Sequence, residues 1–139
     1  MQSLSPYVFV TIYLLVDIFY VTISRSVYNP VIKSISGSEI PFEKPGFLFA
    51  ALFAYASMAI AWLFLVVPTV HYMISKGTQK WLAGIIAGVV YGLAVYGVFN
   101  GTLYTMFVGW NSAIFIRDMT WGISWATILT TLFSLSLKD

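Results

Sequence analysis

Apolar residues along the chain gather into four long runs, about 7–27, 47–74, 81–108 and 113–137, separated by one long and two short breaks. A bilayer crossing needs roughly 20 residues, so each run is long enough. Backbone groups in lipid must be satisfied within their own segment, which selects helices. The pattern predicts an all-α fold, a four-helix transmembrane bundle forming a single integral membrane domain over residues 1–139. An even number of crossings places the N and C termini on the same side, here side A.

The breaks differ in length. Residues 75–80 (SKGTQK) make a short polar turn on side A, and residues 109–112 (GWNS) make a tighter one on the opposite side B. Asn111 or Ser112 is suited to cap the fourth helix. Between the first two runs, Asn29-Pro30 reads as an N-cap followed by proline at the first helical position. Gly37 closes the short helix that follows. Val31, Ile32 and Ile35 give this helix an apolar side, so it is expected to lie in the membrane interface. Pro41 and Pro45 mark the irregular remainder.

Composition strengthens the membrane reading. The chain is 60% hydrophobic and 9% charged, with a mean hydropathy of +0.88. Soluble domains carry about 25% charged residues, so too few charges are present for a water-facing surface. The first run has no basic flank, and Asp17 interrupts it, so it reads as a retained helix rather than a signal peptide. Cysteine is absent, which removes thiol chemistry, and the tail 137–139 (LKD) offers no prenylation site. Seven scattered Lys and Arg form no basic stripe, so no nucleic-acid partner is expected. Lys76, Lys80 and Lys138 on side A nearly balance Arg25, Lys33, Lys44 and Arg117 on side B, so orientation is left open.

In so apolar a chain the small and polar residues show which faces pack. Gly84, Gly88 and Gly92 step by four along the third helix, and Gly97 and Gly101 repeat the step. Ala50, Ala54, Ser57 and Ala61 do the same on the second, and Gly122 lies in the fourth. Small residues let helix backbones approach closely where lipid supplies no hydrophobic drive. A phosphate-binding loop is excluded, because no strand precedes the glycines and no Lys follows in place.

On the first helix, Tyr13, Asp17, Tyr20, Ser24 and Tyr28 step by four, three, four and four, which puts them on one side. At 1.5 Å per residue, Asp17 lies about 10 Å from Ser24. Asn100, Thr102, Tyr104 and Thr105 occupy the side-B half of the third helix, and Arg117 and Asp118 the first turns of the fourth. An intramembrane polar cluster is therefore expected there, with Asp17, Tyr20, Ser24, Tyr96, Asn100, Arg117, Asp118 and Trp121 as its members.

Each candidate also has a plainer explanation. Asp17 suits a proton or cation relay, since a charge at hydrocarbon depth is costly and usually functional. It equally suits a neutral carboxyl group hydrogen-bonded across helices. Asp118 is placed to pair with Arg25, and Arg117 to snorkel to side B. Asn100-Gly-Thr102 matches a glycosylation sequon but sits inside an apolar run, so Asn100 reads as an interhelical hydrogen-bonder. Trp62, Trp81, Trp110, Trp121 and Trp125 read as belt or packing residues. His71 is the one histidine, so neither a metal site nor a hydrolytic triad has support. Pro68 is expected to kink or end the second helix.

Several stretches resemble the small four-helix membrane proteins grouped as domain of unknown function 2177. These are V-D-I-F-Y around Asp17, Tyr28, F-L-V-V-P from Phe64 to Pro68, and V-Y-G-V-F-N including Tyr96 and Asn100. R-D-M-T-W-G follows, with Asp118, Trp121 and Gly122. The resemblance covers most of the chain and implies the four-helix architecture without an activity. Relatives often carry Asp directly after the tyrosine matching Tyr96; Gly97 stands there in this chain. Similar proteins occur in bacteria and among large DNA viruses, which makes a virion membrane one expected home.

Two functions follow as expectations. The first is a non-enzymatic structural or anchoring component of a membrane assembly, with lipid and other membrane proteins as partners, and no cofactor, metal or catalytic residue. The second is a small transporter or membrane enzyme working through Asp17 and Asp118 on a ligand the sequence does not name.

Overall fold

The computed structural model describes residues 5–40 and 43–138. Pro41 and the final Asp139 lie outside the described residues. Among those described, all regular structure is helical, in five helices. These are α1 (Pro6–Ile23), α2 (Arg25–Ser36), α3 (Phe47–Ser75), α4 (Lys80–Met106) and α5 (Ser112–Ser136). By length and composition α1, α3 and α4 can cross a membrane. With 25 residues α5 is also long enough, but its polar residues lower its hydropathy and keep it out of that set.

The start of the chain departs from the expected pattern. The first helix ends at Ile23, not near Val27, and the chain turns at Ser24 before α2 begins at Arg25. Pro30 therefore lies inside α2 instead of opening it. The missing N–H frees a carbonyl one turn earlier, and Pro30 is on the exposed side, where that loss is best tolerated. Asn29 does not cap a helix; its Nδ2 donates to Glu39 at 3.2 Å. Gly37 closes α2 in the left-handed region at φ 77°, where other residues are strained. The apolar side of α2 packs on the bundle: Val31, Ile32 and Ile35 pack against the buried cluster of Tyr20, Tyr28, Trp110 and Ile114.

Two helices widen locally into π turns, over Trp62–Val66 in α3 and Leu93–Gly97 in α4. In α3 the Val67 N–H reaches back to the Trp62 carbonyl, one residue before Pro68. The helix then runs on to Ser75, so Pro68 does not end it. Asn111 caps α5, its Oδ1 accepting from Ala113 and Ile114 N–H at 3.0 and 3.1 Å.

Antiparallel packing of α4 on α5 forms the tightest seam. A Cβ added at Gly84, Gly88 or Gly92 would lie 2.5, 2.5 and 2.7 Å from the Cα of Thr131, Thr127 and Ile123. Both helices advance by four residues per contact, so the backbones run side by side for about two turns. The remaining predicted small residues behave differently. Gly97 has ordinary contact with Met119 at 3.7 Å, and Gly101 faces open space. Ala50, Ala54 and Ser57 of α3 are exposed. No residue of Phe47–Ala61 is buried, so this half of α3 packs through larger, partly buried side chains such as Tyr55 and Met58. The core joins Phe9, Val10 and Tyr13 of α1 to Trp62, Val66 and Val70 of α3. Tyr91 of α4 and Leu129 and Phe133 of α5 complete it.

Candidate functional site

The polar stripe of α1 and its continuation into α2 faces inward: Tyr13, Asp17, Tyr20, Ser24 and Tyr28 are all buried. Turning at Ser24 does not break the stripe, because α2 carries Tyr28 back over the same end of the bundle. From α4 come Tyr96, set in the π turn, and Asn100, fully buried. From α5 come Asp118 and Trp121, one turn apart on the face that Gly122 also occupies.

Five neutral donors hold the two carboxylates. Asp17 Oδ1 accepts from Tyr96 Oη at 2.6 Å and Trp121 Nε1 at 3.1 Å, and Oδ2 accepts from Tyr55 Oη at 3.3 Å. Asp118 Oδ1 accepts from Tyr28 Oη and Oδ2 from Asn100 Nδ2, both at 2.6 Å. The expected Arg25 pairing is thus replaced by two uncharged partners. An ion pair in this setting would require desolvating a guanidinium as well, whereas phenol and amide donors cost less to bury. Burial, together with the adjacent Asp118 carboxylate, pushes the Tyr28 phenol above its usual range, so Tyr28 keeps the proton it donates.

Arg117 is exposed, but it does more than snorkel. Its Nε donates to Tyr20 Oη and its Nη2 to Ser24 Oγ, both at 3.3 Å. Tyr20 Oη in turn lies 3.2 Å from Tyr28 Oη. With Arg117 donating to Tyr20, the hydroxyl chain runs one way, from guanidinium through two phenols to Asp118. Tyr20 is fixed by stacking on Trp121, with ring centroids 4.0 Å apart and planes at 7°. Asn100 is oriented by Trp110, whose Nε1 donates to Oδ1 at 3.1 Å, and its Nδ2 also reaches the Tyr96 carbonyl at 3.0 Å.

Thr102, Tyr104 and Thr105, which follow Asn100 along the same helix, are exposed; Thr105 bonds within its own helix. Two participants were missed. Tyr55 lies eight residues inside α3, about 12 Å from its N-terminal end at 1.5 Å per residue, which is close to the distance of Asp17 from the end of α1. That depth match was the available signal. Trp110 reads from the sequence as a belt or packing residue, and nothing in its spacing marks it as the partner of Asn100. Trp62, fully buried, donates to Thr130 Oγ1 at 3.2 Å, and Trp125 donates to the Tyr13 carbonyl at 3.2 Å. Of the five tryptophans, Trp81 alone is exposed, as a belt residue would be.

The acids are not sealed. Asp17 and Asp118 share one cleft of about 350 Å³ between α1, α3 and α4, lined also by Tyr20, Tyr55, Tyr96 and Phe99. Asp118 further borders a second, apolar cavity of about 390 Å³ beneath α2. Among the described residues no group of three or more His, Cys, Asp or Glu is placed to hold a metal ion.

Gly122 sets the position of Tyr96. A Cβ at this glycine would fall inside the Tyr96 ring. Gly122→Ala is expected to push the ring off Asp17 and cost about 1–3 kcal/mol, as overpacking does. Trp121 donates to the same oxygen and stacks on Tyr20, so its fluorescence should shift in the folded variant. An unshifted spectrum with a normal melting midpoint would show that Tyr96 is not held by this contact.

The model of one family, described as a predicted membrane protein (DUF2177), matches residues 4–135, and neither a curated protein nor a solved structure matches the chain. The match and the three apolar helices make this an integral membrane protein. Its composition, its helices and the matched span together place the chain in the DUF2177 family of predicted membrane proteins.

Proposed function

We propose that α1, α3, α4 and α5 all cross the bilayer, with both termini on one side and residues 1–139 acting as one unit. The low hydropathy of α5 does not oppose this. Asp118, Thr130 and Ser134 are buried away from lipid, and the exposed Arg117 lies in the second turn, near the start of the helix. Window-averaged hydropathy understates a helix whose polar residues face inward.

The protein then serves as an intramembrane binder or carrier of a small organic cation, without chemistry of its own. One observation carries this reading: two buried aspartates, each hydrogen-bonded among the described residues by neutral donors, open onto one aromatic-walled cleft. A positive ligand compensates the acids, and the rings of Tyr20, Tyr55, Tyr96 and Phe99 favour it further. A network serving packing alone has no need of a cleft at its centre.

Benzylamine, protonated at neutral pH, and benzyl alcohol, its neutral counterpart, test this. The purified protein in nanodiscs is expected to bind the amine about tenfold more tightly, a difference of about 1.4 kcal/mol. Asp17→Asn and Asp118→Asn should each erase most of that preference while leaving the protein folded. Equal binding of amine and alcohol by the wild type sinks the reading.

A second reading, a non-enzymatic anchoring component of a larger assembly, draws on α3. It is the least buried of the three apolar helices, and Leu48, Phe49, Leu52 and Phe53 are all exposed. Failure of the amine test leaves this as the stronger account.

A further inference from the structure

We infer that the apolar cavity beneath α2 receives the hydrocarbon tail of a single-chain amphiphile whose ammonium head sits at Asp118. The ligand class is then a long-chain primary amine. This rests on the cation reading above and narrows it.

The cavity is walled by Ile32 and Ile35 of α2 and by Phe99, Leu103 and Phe107 toward the end of α4, with Asp118 in its lining. Val21, Phe99 and Asp118 also line the cleft that contains Asp17. The two spaces therefore adjoin at Asp118, which is where a head group must lie if its tail runs under α2. Both partners of Asp118, Tyr28 and Asn100, donate to it and are neutral. A ligand at that carboxylate must itself donate, and a cation supplies the missing charge. The volume of about 390 Å³ lies in the lower part of the range for small-molecule sites, which suits one chain better than the paired chains of a phospholipid.

Lipid tails are as apolar as the cavity wall, so a ligand tail gains little by leaving the bilayer. Selection must come from the head group, and the tail's location is the quantity to measure. A dodecylamine carrying a diazirine at mid-chain is the probe, with the protein in phosphatidylcholine nanodiscs and adducts mapped by mass spectrometry. Adducts are expected on residues 32–35 and 103–107. They should fall about tenfold with the matched dodecanol probe and in Asp118→Asn, the loss of one charge-assisted contact.

Ile35→Trp, which fills the cavity without touching either acid, should remove these adducts and leave benzylamine binding unchanged. Adducts scattered over the outward faces of α1 and α3, or cavity labelling indifferent to Asp118→Asn or Ile35→Trp, overturn the inference. If benzylamine still distinguishes the aspartates in that case, the cation reading survives alone. If neither amine distinguishes them, both fall.

Discussion

Gly88→Leu is expected to separate α4 from α5 and abolish the native bundle. A Cβ at this position would stand 2.5 Å from the Thr127 Cα and 2.9 Å from the Ala126 carbonyl oxygen. Both are backbone atoms, so no side-chain rotation relieves the overlap. Overpacking a well-filled site costs about 1–3 kcal/mol where neighbours can shift, and here a whole helix must move, so about 3 kcal/mol or more is expected. Gly101→Leu is the matched control. It lies on the same helix with open space beyond it, and it should melt within about 0.5 kcal/mol of the wild type, as surface substitutions do. Unfolding in a rising mole fraction of sodium dodecyl sulfate, followed by tryptophan fluorescence, reads both variants. Equal midpoints for Gly88→Leu and Gly101→Leu would show that the glycine seam does not hold these helices.

Asp17→Leu is the second large effect. It removes the acceptor for Tyr96, Trp121 and Tyr55 at once. Each buried donor left without a partner costs about 1–3 kcal/mol, and rotation of the two phenols recovers part of this. Indole Nε1–H donates only, so Trp121 has no such escape. A net loss of about 3 kcal/mol is expected from these terms. Asp17→Asn behaves differently. Its carbonyl oxygen can face Tyr96 and Trp121, and its amide can donate to Tyr55, so stability should stay within about 1 kcal/mol of the wild type. Thermal melts of the two variants in one detergent separate the carboxyl group's shape from its charge. A normal melt for Asp17→Leu would show that the network does not hold the helices together.

These effects trace back to features that differ in how readable they were. The inward face of α1 is legible because Tyr13, Asp17 and Tyr20 share one side of an apolar helix, and Ser24 and Tyr28 continue the stripe past its end. The glycines of α4 were legible because a repeat of small residues at four-residue steps has one common use between membrane helices. Their end point was not: Gly84, Gly88 and Gly92 meet a backbone, whereas Gly101, continuing the pattern, meets nothing. Spacing fixes a face, but the partner helix must still be there.

On α3 one of the four expected small residues, Ala61, packs against the core, and the other three face outward. Ala50, Ala54 and Ser57 are exposed, and Tyr55, between them, reaches Asp17. An apolar helix can rotate about its own axis at little cost in lipid, because the bilayer accepts the same side chains as the core. Its rotation is then decided by the few groups that lipid does not accept. The choice of Tyr28 and Asn100 over Arg25 at Asp118 has a related cause. Depth along the helices brought all four residues to one level, but the turn at Ser24 swings Tyr28 over the acid.

Three things are readable from the residues alone: the chain belongs in a membrane, its regular structure is helical, and Asp17 and Asp118 lie near one level. Those follow from composition, segment length and helical rise, which are properties of each segment alone. Which donors the two acids take, that they share a cleft, and that a second cavity adjoins it at Asp118 emerge once the helices are packed. Those depend on how helices are rotated and crossed, and such choices are made by contacts between segments distant in the chain.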